Sequence, residues 1–201
     1  MKRGVIGFAA AALCLSWPVG GAWAQDTAVA QRVEALLRQM TLEEKVGQLH
    51  QLSGKEFTGP ASEAKTNKLS DIRSGKVGSM LNIKGVAETR AIQALALQSR
   101  LKIPLLFSLD VIHGYKTVFP VPLGEAASWD LGAMEQSARV AAREASASGI
   151  HWTFAPMVDV ARDPRWGRVM EGAGEAAILV RASPRRGCAA SRGAGWASSI
   201  P

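Results

Sequence analysis

Cysteine is almost absent from this 201-residue chain: Cys14 and Cys188 are the only two. Cys14 falls in a leader-like segment, so a processed chain keeps one thiol and no intrachain disulfide is possible. Beyond that leader, no stretch is long and apolar enough to cross a bilayer. No Gly-rich phosphate loop follows any strand-like segment, which argues against a nucleotide-binding sheet. Acid is missing from both ends. The first 24 residues contain Lys2 and Arg3, and the segment after Glu175 contains Arg181, Arg185, Arg186 and Arg192. Setting those six aside leaves 18 basic residues against 17 acidic ones, so six of the seven net positive charges are carried by the ends. A nucleic-acid surface puts its charge on the folded body, and no nucleic-acid partner is expected.

What is present begins with an export signal. Lys2 and Arg3 form a charged start, residues 5–15 form a short apolar core, and Ala22-Trp23-Ala24 puts small residues where a signal peptidase inspects them. Residues 1–24 are therefore expected to be removed, leaving an exported, periplasmic or secreted, chain with no membrane attachment. Residues 25–175 form the body. Residues 176–201 are Ala, Arg, Gly, Ser and Pro with little periodicity, and are expected to be a disordered basic tail foreign to the fold. A GC-rich gene read in a shifted frame yields this vocabulary, and that origin is favoured over a natural basic tail.

The body alternates helix and strand patterns. Val29, Val33, Leu36 and Leu37 recur at helical spacing. Thr41 and Glu44 have the spacing of a capping box, and Leu42, Val46, Leu49 and Leu52 line one face of a second helix. Residues 54–67 read as a loop and 69–74 as a short helix stopped at Gly75. Strands are expected at 77–83, 105–109 and 150–157, with helices at 88–100 and 131–148 between them and a two-proline loop at 117–123. The run at 105–109 is apolar throughout, as in a parallel sheet buried on both faces. Strand, helix, strand, helix, strand is α/β with right-handed crossovers, and three strands fit either an open sheet or the start of an eight-stranded barrel.

In parallel α/β folds ligands sit at the carboxyl ends of the strands. Asp110 ends the second expected strand, and Asp159 to Arg168 follow the third. An aspartate there accepts hydrogen bonds from sugar hydroxyls, or it caps its loop, or it pairs with an arginine. Arginine is a rigid five-donor fork and tryptophan a flat apolar face, so Arg162, Arg165, Trp166 and Arg168 suit a polyhydroxylated ligand. They equally suit an ion-pair network with Asp163, Glu171 and Glu175. A metal held by Asp110, His113 and Asp159 has no diagnostic spacing, and no metal or cofactor is expected. His113 fits better as a brace for its loop, and His50 and His151 as structural residues.

Four segments together resemble glycoside hydrolase family 3, and within it the exported bacterial β-glucosidases. They are Met40-Thr41-Leu42-Glu43-Glu44-Lys45-Val46-Gly47-Gln48-Leu49, Asp110-Val111-Ile112-His113-Gly114, Thr117-Val118-Phe119-Pro120, and Ala155-Pro156-Met157-Val158-Asp159-Val160 running into Arg162-Asp163-Pro164-Arg165-Trp166-Gly167-Arg168. The resemblance covers about residues 29–175, and implies a partial (β/α)8 TIM-type barrel with about three strands present. It further implies retaining hydrolysis of terminal β-D-glucosyl residues by a carboxylate nucleophile and a carboxylic acid/base, on a β-linked glucoside or oligosaccharide. Asp110 matches the family's hydroxyl-holding aspartate. An arginine of Pro164-Arg165-Trp166-Gly167-Arg168 matches a second hydroxyl-binding group, with Arg165 ahead of Arg168.

The chain leaves the family pattern at Ala176, after Glu171-Gly172-Ala173-Gly174-Glu175. The family's later Lys-His motif, its nucleophile and its acid/base have no counterpart here, so no residue takes a catalytic role and the 201-residue product is expected to be inactive alone. Two alternatives remain: an exo-β-N-acetylglucosaminidase of the same family, against which the Arg162-to-Arg168 run argues, and a non-catalytic carbohydrate-binding module. Export is directly testable: N-terminal sequencing of secreted material should begin at Gln25, and a mature product still starting at Met1 removes the leader assignment.

Overall fold

The computed structural model describes residues 27–54 and 63–176. The expected leader, with Cys14, and the expected tail past Ala176, with Cys188, lie outside the described residues. Residues up to Gln39 form one unit, which holds helix α1 (Thr27–Gln39), and those from Met40 form a second.

The second unit is a parallel sheet whose strands pair in chain order: β1 (Gln51–Ser53), β2 (Ser79–Leu81), β3 (Leu106–Leu109) and β4 (Trp152–Thr153). Helix α2 (Leu42–Leu49) leads into β1. The crossovers contain α3 (Glu63–Arg73), α4 (Val86–Ala96), and α5 (Pro122–Ala127) with α6 (Leu131–Ala147). Each strand lies beside the next one in sequence. That is the progression of a barrel wall, whereas a doubly wound sheet reverses its order at a switch point.

The wall has four strands rather than three. β1 escapes the sequence because Gln51-Leu52-Ser53 is short, mostly polar and only one residue past α2. Helix α3 starts at Glu63, six residues before its first apolar repeat, and α5 begins inside the two-proline segment because Pro122 occupies its first turn, where a missing N–H costs nothing. The strand expected at 150–157 is ladder-paired only at Trp152 and Thr153.

Register explains the core. Leu52, Met80 and Phe107 are mutual partners across β1, β2 and β3 and share the helix-facing side. They meet Ile72 of α3, Ala96 of α4, and Ala141 and Ala145 of α6. On the opposite side Ser53, Leu81, Ser108 and Trp152 form the neighbouring row. Ser108 is wholly buried and satisfied: its hydroxyl donates to the Met80 carbonyl at 3.2 Å and accepts from Gln51 Nε2 at 3.1 Å. Leu106 is 51% exposed, so β3 is not buried on both faces as its composition suggests.

The capping box is formed. Thr41 Oγ1 accepts from the Glu44 amide at 3.2 Å, and Glu44 Oε2 accepts from the Thr41 amide at 2.9 Å. The same carboxylate takes Arg100 Nη2 at 2.6 Å, tying the start of α2 to the turn after α4. The α2 stripe is open rather than core: Leu42, Val46 and Leu49 are exposed, and α2 instead buries Gly47. Backbones approach closely on this side. A Cβ on Gly47 would lie 2.6 Å from Lys76 Cα, and one on Gly78 2.1 Å from the Gln48 carbonyl oxygen.

Along β4, His151 is exposed as a residue but turns Nδ1 onto the sheet. It accepts the Phe107 amide at 3.2 Å, while its own amide donates to the Phe107 carbonyl at 2.8 Å. The acceptor role requires a neutral ring, and burial holds its pKa below the usual value. A cavity of about 110 Å³ opens beside it, walled by α6 alanines and by Val111, Glu125, Met134 and Trp152. Glu125 has its pKa raised, first by burial, against the opposing pull of the Ser137 hydroxyl and His113.

Two outcomes follow. Gly78→Ala should cost about 3 kcal/mol of unfolding free energy because the Gln48 backbone cannot yield, and an unchanged urea midpoint contradicts the close approach. His151, with a depressed folded pKa, contributes stability that is full above about pH 6.5 and is lost as pH falls through the folded value. Glu125, with a raised one, contributes stability present below about pH 4.5 and lost as pH rises. The two act in opposite senses between about pH 7 and pH 5, so the difference between the wild-type and His151→Gln urea midpoints should shift against the wild type as pH falls through that range; parallel profiles exclude His151 as a contributor.

Candidate functional site

Because all four strands run parallel, their carboxyl ends share one side of the sheet. Asp110 follows β3 directly, and residues 154–176 leave from β4 next to it. Asp110 is exposed, as is Asp159 further along the β4 loop.

The β4 loop is folded by its own backbone. The Ala161 amide donates to the Gly174 carbonyl at 3.1 Å, bringing 159–161 alongside 172–174. Amides of Trp166, Val169 and Glu171 donate to carbonyls of Asp163, Trp166 and Arg168, which winds the segment through a 3-10 turn at Val169–Glu171. That turn packs on α5.

The arginines divide. Arg165 makes a fork to Asp163, Nε to Oδ1 at 2.9 Å and Nη2 to Oδ2 at 2.7 Å, with its side chain 89% exposed. The hydrogen bonds of the fork, with the Arg165 amide adding to them on Asp163, hold Asp163 lower and Arg165 higher than usual. Arg168 pairs with Glu171, with Nη2 to Oε2 at 2.6 Å. Its pKa is raised first by the Glu171 hydrogen bond and charge, and further by the charges of Asp159 and Asp110. Asp159 and Asp110 act on Arg168 by charge alone, with no ion pair to it among the described residues, while Arg165 leans outward onto Asp163. Arg162 and Glu175 enter no ion pair among the described residues. Trp166, expected to offer an apolar face, is partly exposed.

His113 does not join the two aspartates in a metal site. Its Nδ1 donates to the Phe119 carbonyl at 3.2 Å, and its own carbonyl accepts the Phe119 amide at 2.8 Å. With the bridge between Gly114 and Val118 this closes a hairpin after Asp110. Gly114 sits at φ 104°, and a Cβ there would fall 2.0 Å from the Thr117 carbonyl oxygen, so the hairpin needs glycine. Among the described residues, no three His, Cys, Asp or Glu side chains come together in a metal-binding group.

Sequence reasoning missed Glu144 of α6. Its carboxylate accepts from the amides of Lys116 and Thr117 at 2.8 Å each and from Thr117 Oγ1 at 2.6 Å. A glutamate inside an Ala-rich helix reads as solvated, and the separation of 27 residues leaves no local signal. The cavity beside α6 is lined by neither Asp110 nor an arginine.

Comparison with known proteins fits this geometry. The chain is 46% identical over 149 residues to the periplasmic beta-glucosidase of Salmonella typhimurium, covering 73% of this chain and 19% of that protein. It superposes on the crystal structure of a beta-glucosidase from Listeria innocua in complex with isofagomine, with a TM-score of 0.73 and 42% identity, covering 82% of this chain and 23% of the other. A beta-N-acetylhexosaminidase from Beutenbergia cavernae shares the fold alone, at 22% identity and a TM-score of 0.62, covering 77% and 51%. The chain spans about a fifth of the length of the curated relatives first matched. The model of the glycosyl hydrolase family 3 N terminal domain matches residues 41–200, and with a parallel α/β wall of the kind its relatives close into a barrel, this chain belongs to glycosyl hydrolase family 3.

Proposed function

We propose that this chain carries part of the sugar-gripping rim of an exported, retaining β-glucosidase. The observation that carries the proposal is topological: Asp110 directly follows β3, and the loop bearing Arg168 leaves from the paired, parallel β4, so both segments start at the carboxyl ends of adjacent strands. A carboxylate and a guanidinium there offer acceptors and donors to adjacent hydroxyls of one pyranose, each by a charge-assisted hydrogen bond. Arg168 takes precedence over Arg165 because both are forked to a carboxylate but Arg165 leans out to 89% exposure against 56% for Arg168. Asp163 and Glu171 hold the two guanidiniums without closing the rim. The family supplies the class of reaction, hydrolysis of a glycosidic bond. The β-glucosidase relatives support a β-linked glucoside as substrate, and the periplasmic name of the Salmonella relative supports export.

The bond-breaking carboxylates of the whole enzyme are assigned to no residue of this chain, and we expect the 201-residue product to hydrolyse nothing. The acetylglucosaminidase alternative has no specific support here, since the hexosaminidase neighbour shows the fold alone.

Titration of labelled protein with glucose, followed by NMR, should shift resonances of Asp110, Arg168 and their neighbours with millimolar affinity. Asp110→Asn and Arg168→Ala should each weaken binding about tenfold, and Arg165→Ala less than about twofold. Shifts centred elsewhere overturn the site. Release of aryl alcohol from an aryl β-glucoside well above blank overturns the inactivity. A dissociation constant far below about 1 mM favours a dedicated binding module instead.

A further inference from the structure

The geometry points to Glu144 as a positioning residue for this rim, an inference that rests on the sugar-site proposal for Asp110. Asp110 is the last residue before the hairpin of residues 111–121. No hydrogen bond of the Asp110 carboxylate is made within the described residues, so its direction is set by its strand and by what holds the hairpin.

Three things hold it. At the root, Val111 is buried in the core with Ala141 and Ala145 of α6, and Tyr115 packs on the same cluster. In the middle, the paired bonds between His113 and Phe119 close the loop on itself. At the tip, the Glu144 carboxylate is the sole side chain among the described residues to bond Lys116 or Thr117, and it takes three donors there. Two adjacent amides and a hydroxyl converging on one carboxylate form an anion cradle made by the hairpin itself. Both Glu144 oxygens are used: one accepts the two amides, the other the hydroxyl.

The arrangement depends on charge. A carboxylate accepts at every lone pair, whereas an amide turns an NH₂ toward one of the donors. The Thr117 hydroxyl and the two amides hold the Glu144 carboxyl below the usual carboxylate range, in keeping with that role. The hairpin is thereby fastened to α6 at both root and tip. Releasing the tip leaves the core intact and frees the segment that carries Asp110 at its base.

Lys116 is exposed and lies inside the clamp, so trypsin cleavage after it reports tip release in the intact 201-residue chain. Glu144→Gln and Thr117→Val should each raise that rate about tenfold, whereas Thr117→Ser, which keeps the hydroxyl, should restore the wild-type rate. Glucose affinity should fall about fivefold in Glu144→Gln with an unchanged thermal midpoint. An unchanged Lys116 cleavage rate in both clamp variants overturns the inference, as does wild-type glucose affinity in a Glu144→Gln protein whose tip is released. If the wild-type chain shows no glucose shifts at all, the sugar-site proposal fails, and the cleavage rates alone then decide whether Glu144 holds the hairpin. Should Glu144→Gln fail to fold, the Thr117→Val and Thr117→Ser pair carries the same comparison.

Discussion

Parallel pairing in unbroken chain order is the constraint from which the rest follows. A parallel ladder forces every strand to leave the sheet on the same side, so loops from β3 and β4 must meet there whatever their sequences. It also fixes the rows. With Met80 opposite Phe107 and Leu52 opposite Met80, one side of the wall is committed to the helices. The other carries the row through Ser108, where Gln51 and the Met80 carbonyl satisfy a hydroxyl with no solvent access.

The charges at the rim obey a second rule. A guanidinium near the surface gains little from one exposed carboxylate, yet such pairs decide where the fork points. Asp163 forks Arg165 two residues away and leaves its side chain 89% exposed, while Glu171 forks Arg168 through the same two nitrogens at a place where it is 56% exposed. Two arginines three positions apart thus acquire different surroundings from the residues beside them.

Much of this was legible in the sequence. The capping box at Thr41 and Glu44, the long Ala-rich helix ending at Gly149, and Asp110 at a strand end can be read from spacing and composition, because each rests on contacts within a few residues. β1 could not, since its polar residues earn their place through pairing with Ser79 to Leu81. The choice between Arg165 and Arg168 was beyond the sequence, which ranked Arg165 first, for both sit in the same motif and only the fold separates their exposure. Glu144 is the extreme case: helix propensity explains its presence, and only the hairpin it grips explains its partners.

The Glu44 carboxylate belongs to two structures at once. Its oxygens close a cap around a neighbour three residues back and also receive a guanidinium 56 residues onward. Energies assigned to Thr41 and to Arg100 are therefore not separate quantities. Removing either changes how tightly the shared acceptor is held for the other, and a double-mutant cycle between Thr41 and Arg100 would register a coupling.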